Sequence, residues 1–306
     1  MKKSKAFKMK KSWDDRIFDL ICNVFLVLLV IVVFYPLYYI VIASFSDPIY
    51  ATTGAPLLYP KGITFAGYRQ VFQEKRIWSG YANTILYTVC GTLLGVTMTV
   101  MAGYALSRKD LPGSGILMKI YIFTMYFGGG MIPTFMVIKK IGLLNTRALM
   151  IILGCVSVYN IIVVRSFMQG NIPDELLDAA KIDGCGNGRF FLQIVVPLSK
   201  AIIAVMVLYI AVSYWNSYMN AVIYITDEKM YPLQLQLKKI LYAVQSAISG
   251  VDQNSAENME FMRDSVKKVQ LIKYGAIVVS TVPVLCIYPC IQKYFVKGVM
   301  IGSVKG

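Results

Sequence analysis

An uninterrupted apolar block close to the start of the chain restricts what this sequence can fold into. Residues 17–44 read IFDLICNVFLVLLVIVVFYPLYYIVIAS, with Asp19 as the single charged residue. About 20 apolar residues in a helix cross the roughly 30 Å hydrocarbon core of a bilayer. A helix in a soluble core would show a polar stripe at helical spacing, and this block shows none. The block is also too long for a cleaved signal peptide, so we predict a membrane-spanning helix.

Five further apolar blocks indicate that the chain crosses the membrane repeatedly. They occupy residues 83–107, 115–138, 148–166, 201–226 and 274–295. The chain is 57% hydrophobic and 15% charged, whereas soluble domains are about half apolar and a quarter charged. We therefore predict an all-α, polytopic membrane protein with about six transmembrane helices.

The distribution of basic residues predicts the orientation of the chain. The net charge is +15; because the basic residues flank the apolar blocks, we expect membrane lipid and no nucleic acid as a partner. The densest cluster precedes the first block and consists of Lys2, Lys3, Lys5, Lys8, Lys10 and Lys11. A cytoplasmic N-terminus and an even number of crossings place the C-terminus on the same side. Lys139, Lys140 and Arg147 then fall in a short outside loop, against the usual rule.

The apolar blocks divide the chain into four segments. We predict a cytoplasmic N-terminal segment over residues 1–16, a first transmembrane helix with an outside loop over 17–82, a core of five transmembrane helices over 83–295 and a cytoplasmic tail over 296–306. The core contains a polar inside loop at 167–199 and a large outside segment at 227–271.

The residues that most enzymes and metal sites use are absent or scattered. The chain has no histidine, and its six cysteines form no C-x-x-C pair, so neither a metal site nor a redox motif is indicated. No G-x-x-x-x-G-K-[ST] phosphate loop occurs, so the chain does not hydrolyse ATP itself. We predict no catalytic, cofactor-binding or metal-ligating residue, and no enzyme activity on this chain.

The predicted spans carry charged residues only towards their ends, as with Asp19 and Arg165. Ion-coupled carriers place ionisable residues within the membrane. An ion-coupled secondary transporter is therefore the weaker alternative. If the chain moves a solute uphill, the energy must come from another protein.

The inside loop at 167–199 predicts two short helices with a turn between them. The PDE stretch at 173–175 suits a first helical turn, because proline fits there and acids complement the helix dipole, and Asn171 is expected to cap it. We expect this helix to end near Gly184 and a second helix to end at Pro197. Simple connections are about 4–6 residues long, so this loop has another role.

Six residues of the loop carry a known signature at its fixed spacing: Asp178, Ala179, Ala180, Gly184, Ile194 and Pro197. The arrangement resembles the EAA signature of the permease subunits of bacterial ATP-binding-cassette (ABC) importers, with Asp178 in place of its glutamate and Val196 in place of a leucine. The resemblance implies a coupling loop that docks on an ATPase. Ala179 and Ala180 would allow close approach, and Gly184 a sharp turn. The alternative is a plain connector between two spans.

Further stretches resemble the carbohydrate-importing permeases of the maltose type. They are LYPKGITFAGYRQVF, IPDELLDAAKIDGCGNGRFF and Trp215-Asn216-Ser217-Tyr218, while the ending YFVKGVMIGSVKG is similar to the Gram-positive branch for complex oligosaccharides. The resemblance implies a multi-pass protein of the bacterial cytoplasmic membrane with a carbohydrate, an oligo- or polysaccharide, as substrate. It implies as partners a second, unlike permease, two ATPase subunits that hold ATP and Mg²⁺, and an extracellular solute-binding protein. Another solute is the alternative.

The fifth predicted span carries aromatic and amide side chains, namely Tyr214, Trp215, Asn216, Tyr218 and Asn220. Aromatic faces and amides suit sugar rings, so these residues are candidates for the translocation pathway. The alternative is packing between helices, with amide hydrogen bonds across the interface. In importers with two permeases the substrate site can also lie mostly on the partner.

Overall fold

The protein is built from α-helices. The computed structural model describes residues 12–48, 50, 58–249, 272–286 and 289, and over these residues the backbone forms helices and turns with no strand. The all-α fold class predicted from the sequence is confirmed, and several of the helices are strongly apolar.

The helices are listed here in chain order with the labels used below: α1 (Trp13–Phe45), α2 (Ala66–Gln73), α3 (Lys75–Ser107), α4 (Ser114–Tyr126), α5 (Met131–Lys140), α6 (Arg147–Ile152), α7 (Val158–Asn171), α8 (Asp174–Ile182), α9 (Asn187–Leu198), α10 (Lys200–Trp215), α11 (Met219–Tyr224), α12 (Leu233–Ser249) and α13 (Ile272–Cys286). A π turn at Phe191–Val195 lies inside α9, and a 3-10 turn at Glu228–Met230 precedes α12.

Helix α1 has the character of a lipid-facing span. It is 33 residues long, and its side chains are exposed along nearly the whole apolar stretch that the sequence analysis identified. The Asp15 carboxylate accepts the backbone N–H of Ser12 at 3.1 Å, which satisfies a free donor at the start of the helix. At the other end, Ser46 Oγ donates to the Ile42 carbonyl at 2.8 Å. The first predicted span is therefore a helix that is long and apolar enough to cross a membrane.

The described residues contain two helices, α1 and α3, that are long and apolar enough to cross a membrane, or four spans if two bent pairs each count as one. The predicted third span is broken: α4 and α5 meet at 111° across Gly128–Gly130, where Gly130 has φ +82°. Helices α9 and α10 meet at 80°. The glycines explain the first break, because Gly130 adopts a backbone conformation that side-chain-bearing residues disfavour.

The remaining predicted spans are divided or only partly described. The fourth is split between α6 and α7, with Gly154 at φ +82° in the break. The fifth is interrupted between α10 and α11. Helix α13 covers the first part of the sixth, whose end lies mostly outside the described residues. The total of about six crossings therefore stays a prediction.

The chain divides into two compact units: one comprises residues 1–70 and 251–278, and the other comprises residues 71–250 and 279–306. In the first unit, the end of α1 packs against Tyr274, with the rings of Tyr39 and Tyr274 edge to face at 6.0 Å. Ser44 and Tyr68 share a hydrogen bond of 2.8 Å between their hydroxyls. The four predicted segments are not tested by this division, and their limits stay predictions.

In the second unit, α3 is the central helix. Its glycines let neighbouring elements approach closely: a Cβ on Gly103 would lie 2.6 Å from Val164 Cγ1 of α7, and one on Gly95 would overlap the Cys155 carbonyl. Small residues at helix contacts are typical of membrane proteins, where van der Waals packing drives association. The predicted second span lies within this helix, which at 33 residues is about 50 Å long and is apolar enough to cross a membrane.

The N-terminal half of α3 binds the backbone of the segment that precedes α12. Asn83 Nδ2 donates to the carbonyls of Lys229 and Tyr231 at 2.7 and 3.1 Å, and Tyr87 OH donates to Met230 at 2.8 Å. Thr84 Oγ1 accepts the backbone N–H of Leu233 at 2.8 Å. These polar side chains are buried, so the bonds satisfy groups that would otherwise be costly at that depth.

Candidate functional site

The polar loop between α7 and α10 forms the predicted helix–turn–helix, made of α8 and α9. Helix α8 begins at Asp174 with Pro173 as its N-cap, and Asp174 and Glu175 lie in its first turn. Asn171 does not cap it: this residue ends α7, and its Nδ2 donates to the Phe167 carbonyl at 2.8 Å. The interpretation of Asn171 as a cap is therefore wrong, because the amide satisfies its own helix instead.

The turn after α8 depends on Gly184. Its φ is +72°, the left-handed region that glycine occupies at no steric cost. The Gly184 N–H donates to the Lys181 carbonyl at 3.0 Å, and the Cys185 N–H donates to the Ala180 carbonyl at 2.8 Å. This bond pattern is the Schellman motif that commonly ends helices. The predicted helix end and the predicted sharp turn at Gly184 are both found there.

Helix α8 has one packed face and one free face. Ala180 is buried at 7% exposure in a cluster with Met168 and Phe190, and Leu177 packs against the same cluster. The opposite face is exposed and comprises Glu175, Asp178, Ala179 and Ile182. Of the two signature alanines, Ala180 packs within the chain and Ala179 is available to a partner.

One exposed residue of α8 is absent from the predicted set. Ile182 is 86% exposed, although isoleucine is among the residue types most often buried. It lies one turn after Asp178 and Ala179 on the free face. The i, i+4 spacing of Asp178 and Ile182 is the sequence signal that could have identified it.

The two later signature residues lie on α9. Ile194 is half-buried against the cluster that holds Ala180, whereas Pro197 is exposed in the last turn, just before the bend into α10. The structure thus brings Ala180 and Ile194 together and leaves Pro197 apart from them.

The turn that follows α3 is linked to this helix–turn–helix by charged and polar groups. Arg108 Nη1 donates to Asn187 Oδ1 at 2.8 Å, and Lys109 Nζ lies 2.7 Å from Asp174 Oδ2. Arg108 also forms a two-pronged ion pair with Asp110, with Nε at 2.7 Å from Oδ1. The hydrogen bond from Arg108 lowers the pKa of Asp110 to about 2, so this carboxylate is ionised at neutral pH.

A cavity of about 320 Å³ opens beside these contacts. Its lining includes Tyr104, Met168, Gln169, Asp174 and Phe190. It lies between the end of α3 and the start of α8, since Tyr104 and Ser107 line one side and Asp174 and Glu175 the other. In the described part of the chain, no three carboxylate or thiol side chains gather as metal ligands.

Two of the predicted pathway residues pack between helices. The Tyr214 ring covers Gly91 of α3, and its hydroxyl donates to the Ile151 carbonyl. Trp215 Nε1 donates to the Ser280 carbonyl at 3.1 Å, and both rings are buried. For these two residues the structure favours the packing interpretation over a pathway lining.

The other three predicted residues lie at the break between α10 and α11. Asn216 is exposed, with Nδ2 donating to the Val212 carbonyl at 2.9 Å. Tyr218 is half-buried, with Lys238 Nζ at 4.3 Å from its ring centroid. Asn220 is half-buried in α11. The five predicted residues therefore fall into two groups by exposure. Asn216 is exposed and Tyr218 and Asn220 are partly accessible, whereas Tyr214 and Trp215 are buried.

An exposed polar stripe on α10 was not identified from the sequence. Tyr209, Ser213 and Asn216 lie at i, i+4 and i+7 and are all exposed. This spacing puts them on one helix face. The same spacing is visible in the sequence, and it was obscured there by the adjacent aromatic residues Tyr214 and Trp215.

Comparison with known proteins places the whole chain. No family model matches it. It is 38% identical over 292 residues to the polygalacturonan/rhamnogalacturonan transport system permease protein YtcP of Bacillus subtilis (strain 168). The aligned residues cover 95% of this chain and 99% of that protein. It is 36% identical over 299 residues to Protein LplC of the same organism, covering 97% and 98%.

A solved structure agrees with these relatives. The fold matches a chain of a bacterial ABC transporter involved in the import of the acidic polysaccharide alginate, with a TM-score of 0.82, 32% identity, and coverage of 94% of this chain and 100% of that one. Sequence identity above 30% over nearly the full length, a matching fold and the helix–turn–helix agree with one another. The chain therefore belongs to the carbohydrate-importer family of ABC permease subunits.

Proposed function

We propose that the chain pairs with a second, unlike permease to form the translocation path of an ABC importer, together with two ATPase subunits and an extracellular solute-binding protein. The observation that carries the proposal is the free face of α8, which includes Asp178 and Ala179 of the EAA signature and precedes a glycine-dependent turn. ATP and Mg²⁺ would be held by the ATPase subunits. The chain itself would supply the path and receive force mechanically.

The exposed face of α8 supports docking on an ATPase. It combines two carboxylates, Glu175 and Asp178, with the small Ala179 and the apolar Ile182. A small residue permits close approach, an apolar side chain gains free energy when it is removed from water, and acids select a basic partner surface. The packed face of the same helix, at Ala180, would pass the force into the chain.

This role implies an orientation. We place α8, α9 and the turn after α3 on the cytoplasmic side of the bacterial membrane, with both chain termini. The segment at 226–233 and Asn145 then face outward. This agrees with the lysine-rich N-terminus and assigns Lys139 and Lys140 to the outer side.

The exposed stripe of α10 supports a pathway role for this helix. Ser213 and Asn216 expose polar groups within an otherwise apolar helix. Polar side chains at membrane depth usually face the protein interior or a water-filled cavity. With the ring of Tyr209, they present hydroxyl, amide and aromatic groups, which match the hydroxyl rims and apolar faces of sugars. We assign the stripe, with Tyr218 and Asn220, to the translocation pathway.

The substrate we propose is an oligosaccharide or polysaccharide fragment that carries carboxylates. The YtcP relative is named for the transport of polygalacturonan and rhamnogalacturonan, and the structural neighbour for the import of the acidic polysaccharide alginate. Lys238 adds a physical reason: it lies over the Tyr218 ring and 5.7 Å from the centroid of Tyr242, and it forms no ion pair among the described residues. An ammonium group that has no carboxylate partner can bind the carboxylate of an acidic sugar.

Three experiments test the proposal. Purification of the tagged chain should recover a second permease and an ATPase; recovery of the chain without them would contradict the assembly. Cells that express the importer should take up labelled trigalacturonate faster than maltotriose, and Lys238→Gln should reduce only that preference. Uptake that stops with the proton gradient while ATP is held constant would favour an ion-coupled carrier instead.

A further inference from the structure

The turn after α3, at residues 108–110, contacts both helices of the coupling loop, α8 and α9. The contacts are Arg108 with Asn187 at the start of α9, Lys109 with Asp174 at the start of α8, and Asp110 with Lys181 in the last turn of α8, the last at 3.7 Å. Helix α8 is therefore held at its two ends, and α9 at its first residue. Because three consecutive residues make these contacts, a displacement of the loop would move the whole turn with it.

The Arg108 side chain is held in place by several contacts within and beyond this turn. Its side chain is only 15% exposed, and besides Asp110 and Asn187 it donates to the Tyr104 hydroxyl at 3.1 Å. The planar guanidinium makes these contacts simultaneously, which a lysine could not. The Tyr104 ring in turn lies 5.1 Å from the Phe191 ring of α9.

A second arginine fixes α7 to the same end of α3. Arg165 Nε donates to the Leu106 carbonyl at 3.0 Å, which satisfies one of the free carbonyls in the last turn of α3. Gly103 allows α7 to approach α3 at Val164. The C-terminal end of α3 is thus joined to α7, α8 and α9 by directional contacts.

Helix α3 connects these contacts at its C-terminal end to a second set of contacts in its N-terminal half. It has no proline between Lys75 and Ser107, so no residue interrupts its ladder of hydrogen bonds. About 50 Å of helix separates its ends. Near the far end, Asn83 and Tyr87 hold the backbone carbonyls of Lys229, Met230 and Tyr231.

We propose that α3 is the strut that carries movement of the coupling loop to the 229–233 segment across the membrane, and that Arg108 is the positioning residue that joins the loop to the strut. A displacement of α8 by an ATPase would pull the turn at 108–110, shift α3 along its axis and move the segment that its other end binds. The inference rests on the proposed docking of α8 on an ATPase.

The competing explanation is that these are ordinary surface ion pairs. Such pairs contribute little to stability and are screened by salt. Under that explanation, loss of Arg108 would change neither assembly nor the response of the far segment. Under the strut explanation, assembly is preserved and the response is lost.

The test uses the complex purified through a tag on this chain, with native cysteines replaced and a spin label on Lys229→Cys. The Lys229 side chain is exposed, while the contact to Asn83 uses its backbone carbonyl. The label's spectrum is compared without nucleotide and with the ATP analogue AMP-PNP. The variants are Arg108→Met, Arg108→Lys, Asn187→Ala and, as a charge-matched control on α4, Lys119→Gln.

We expect AMP-PNP to change the spectrum in the parent and in Lys119→Gln. Arg108→Met should reduce this change to less than half while the ATPase still co-purifies, with Arg108→Lys and Asn187→Ala intermediate. If Arg108→Met fails to assemble, Asn187→Ala decides the question alone. A full response in the variants that assemble overturns the strut. No response in the parent overturns the coupling role itself, which separates the two failures.

Discussion

The Tyr214 ring lies directly over Gly91, so closely that a Cβ on Gly91 would come within 2.6 Å of Tyr214 Cε1. Because the Tyr214 hydroxyl also donates to the Ile151 carbonyl, one side chain joins α10, α3 and α6. Gly91 is needed here for the space it leaves. A glycine is required at residue 91 because α10 packs closely against it, and not because the backbone there has a positive φ.

This contact makes Gly91→Ala a destabilising substitution. The added methyl must displace a buried aromatic ring whose hydroxyl is bonded to the Ile151 carbonyl, and such overpacking costs about 1–3 kcal/mol. We expect a lower unfolding temperature in detergent, measured by a thermal-shift assay. The control is Gly115→Ala in α4, where a Cβ meets nothing within 4 Å. That variant should be neutral or slightly stabilising, and equal unfolding temperatures for the two would contradict the packing argument.

Gly184→Val should uncouple the chain from its ATPase. The turn requires φ near +72°, and a β-branched residue there is strained by about 1–3 kcal/mol. Because a Cβ at Gly184 meets no neighbour, the effect is confined to the backbone of the turn. Uptake and co-purified ATPase should fall together, while the amount of chain in the membrane stays nearly the same.

The matched control is Gly186→Val two residues later. Gly186 has φ −72° and open space around it, so valine is accepted there. If Gly184→Val transports at the normal rate with its ATPase bound, the loop is a connector and the coupling interpretation is wrong.

Ile182→Ser should weaken the ATPase contact without affecting the stability of the chain. The side chain is exposed, so its removal leaves no internal cavity, and a docked partner would lose the burial of an apolar group worth about 1.5–3 kcal/mol. ATPase retained on the tagged chain after a salt wash measures the effect. Ile141→Ser, at an exposed site after α5, is the control. Equal retention in both variants would exclude Ile182 from the interface.

Substitutions on the two faces of α10 should separate pathway from packing. Asn216→Leu, on the exposed face, should lower the uptake rate at least several-fold while the unfolding temperature and the co-purified ATPase are unchanged. Tyr214→Phe removes the hydrogen bond to Ile151 and should lower the unfolding temperature with little change in the uptake of the folded protein. The reverse pattern would exchange the roles assigned to these residues.

Thiol labelling tests the orientation. In intact cells lacking native cysteines, Pro112→Cys should resist a membrane-impermeant maleimide, and Lys229→Cys should react with it. Both positions are exposed. After permeabilisation Pro112→Cys should react as well, which confirms that its thiol is accessible. Labelling of Pro112→Cys from outside intact cells would reverse the proposed topology.

The elements predicted correctly from the sequence are those with local causes. The apolar block of α1 and the turn at Gly184 follow from hydrophobicity and from the conformational freedom of glycine, which act over a few residues. The assignment of Trp215 to the pathway depended on which helix face meets a neighbour. That orientation is set by Ser280, 65 residues away, and composition alone cannot show it.

The breaks in the spans illustrate the same division. Glycines at 128–130 indicated a broken helix, but the 111° angle between α4 and α5 is a property of the tertiary structure. The contacts of Arg108 with Asn187 were likewise not predictable, since they join residues 79 positions apart. Sequence patterns identify such residues as polar and do not identify their partners.

The bonds from Asn83 to the carbonyls of Lys229 and Tyr231 also have a consequence for biosynthesis. Donor and acceptors are separated by 146 and 148 residues, and a ribosome adds about 5–20 residues per second, so α3 waits roughly 7–30 s for the segment that satisfies its amide. During that interval a buried amide has no native acceptor. Until translation reaches the start of α12, the Asn83 amide of the nascent chain therefore needs another hydrogen-bond acceptor, supplied by the insertion machinery or by water at the membrane surface.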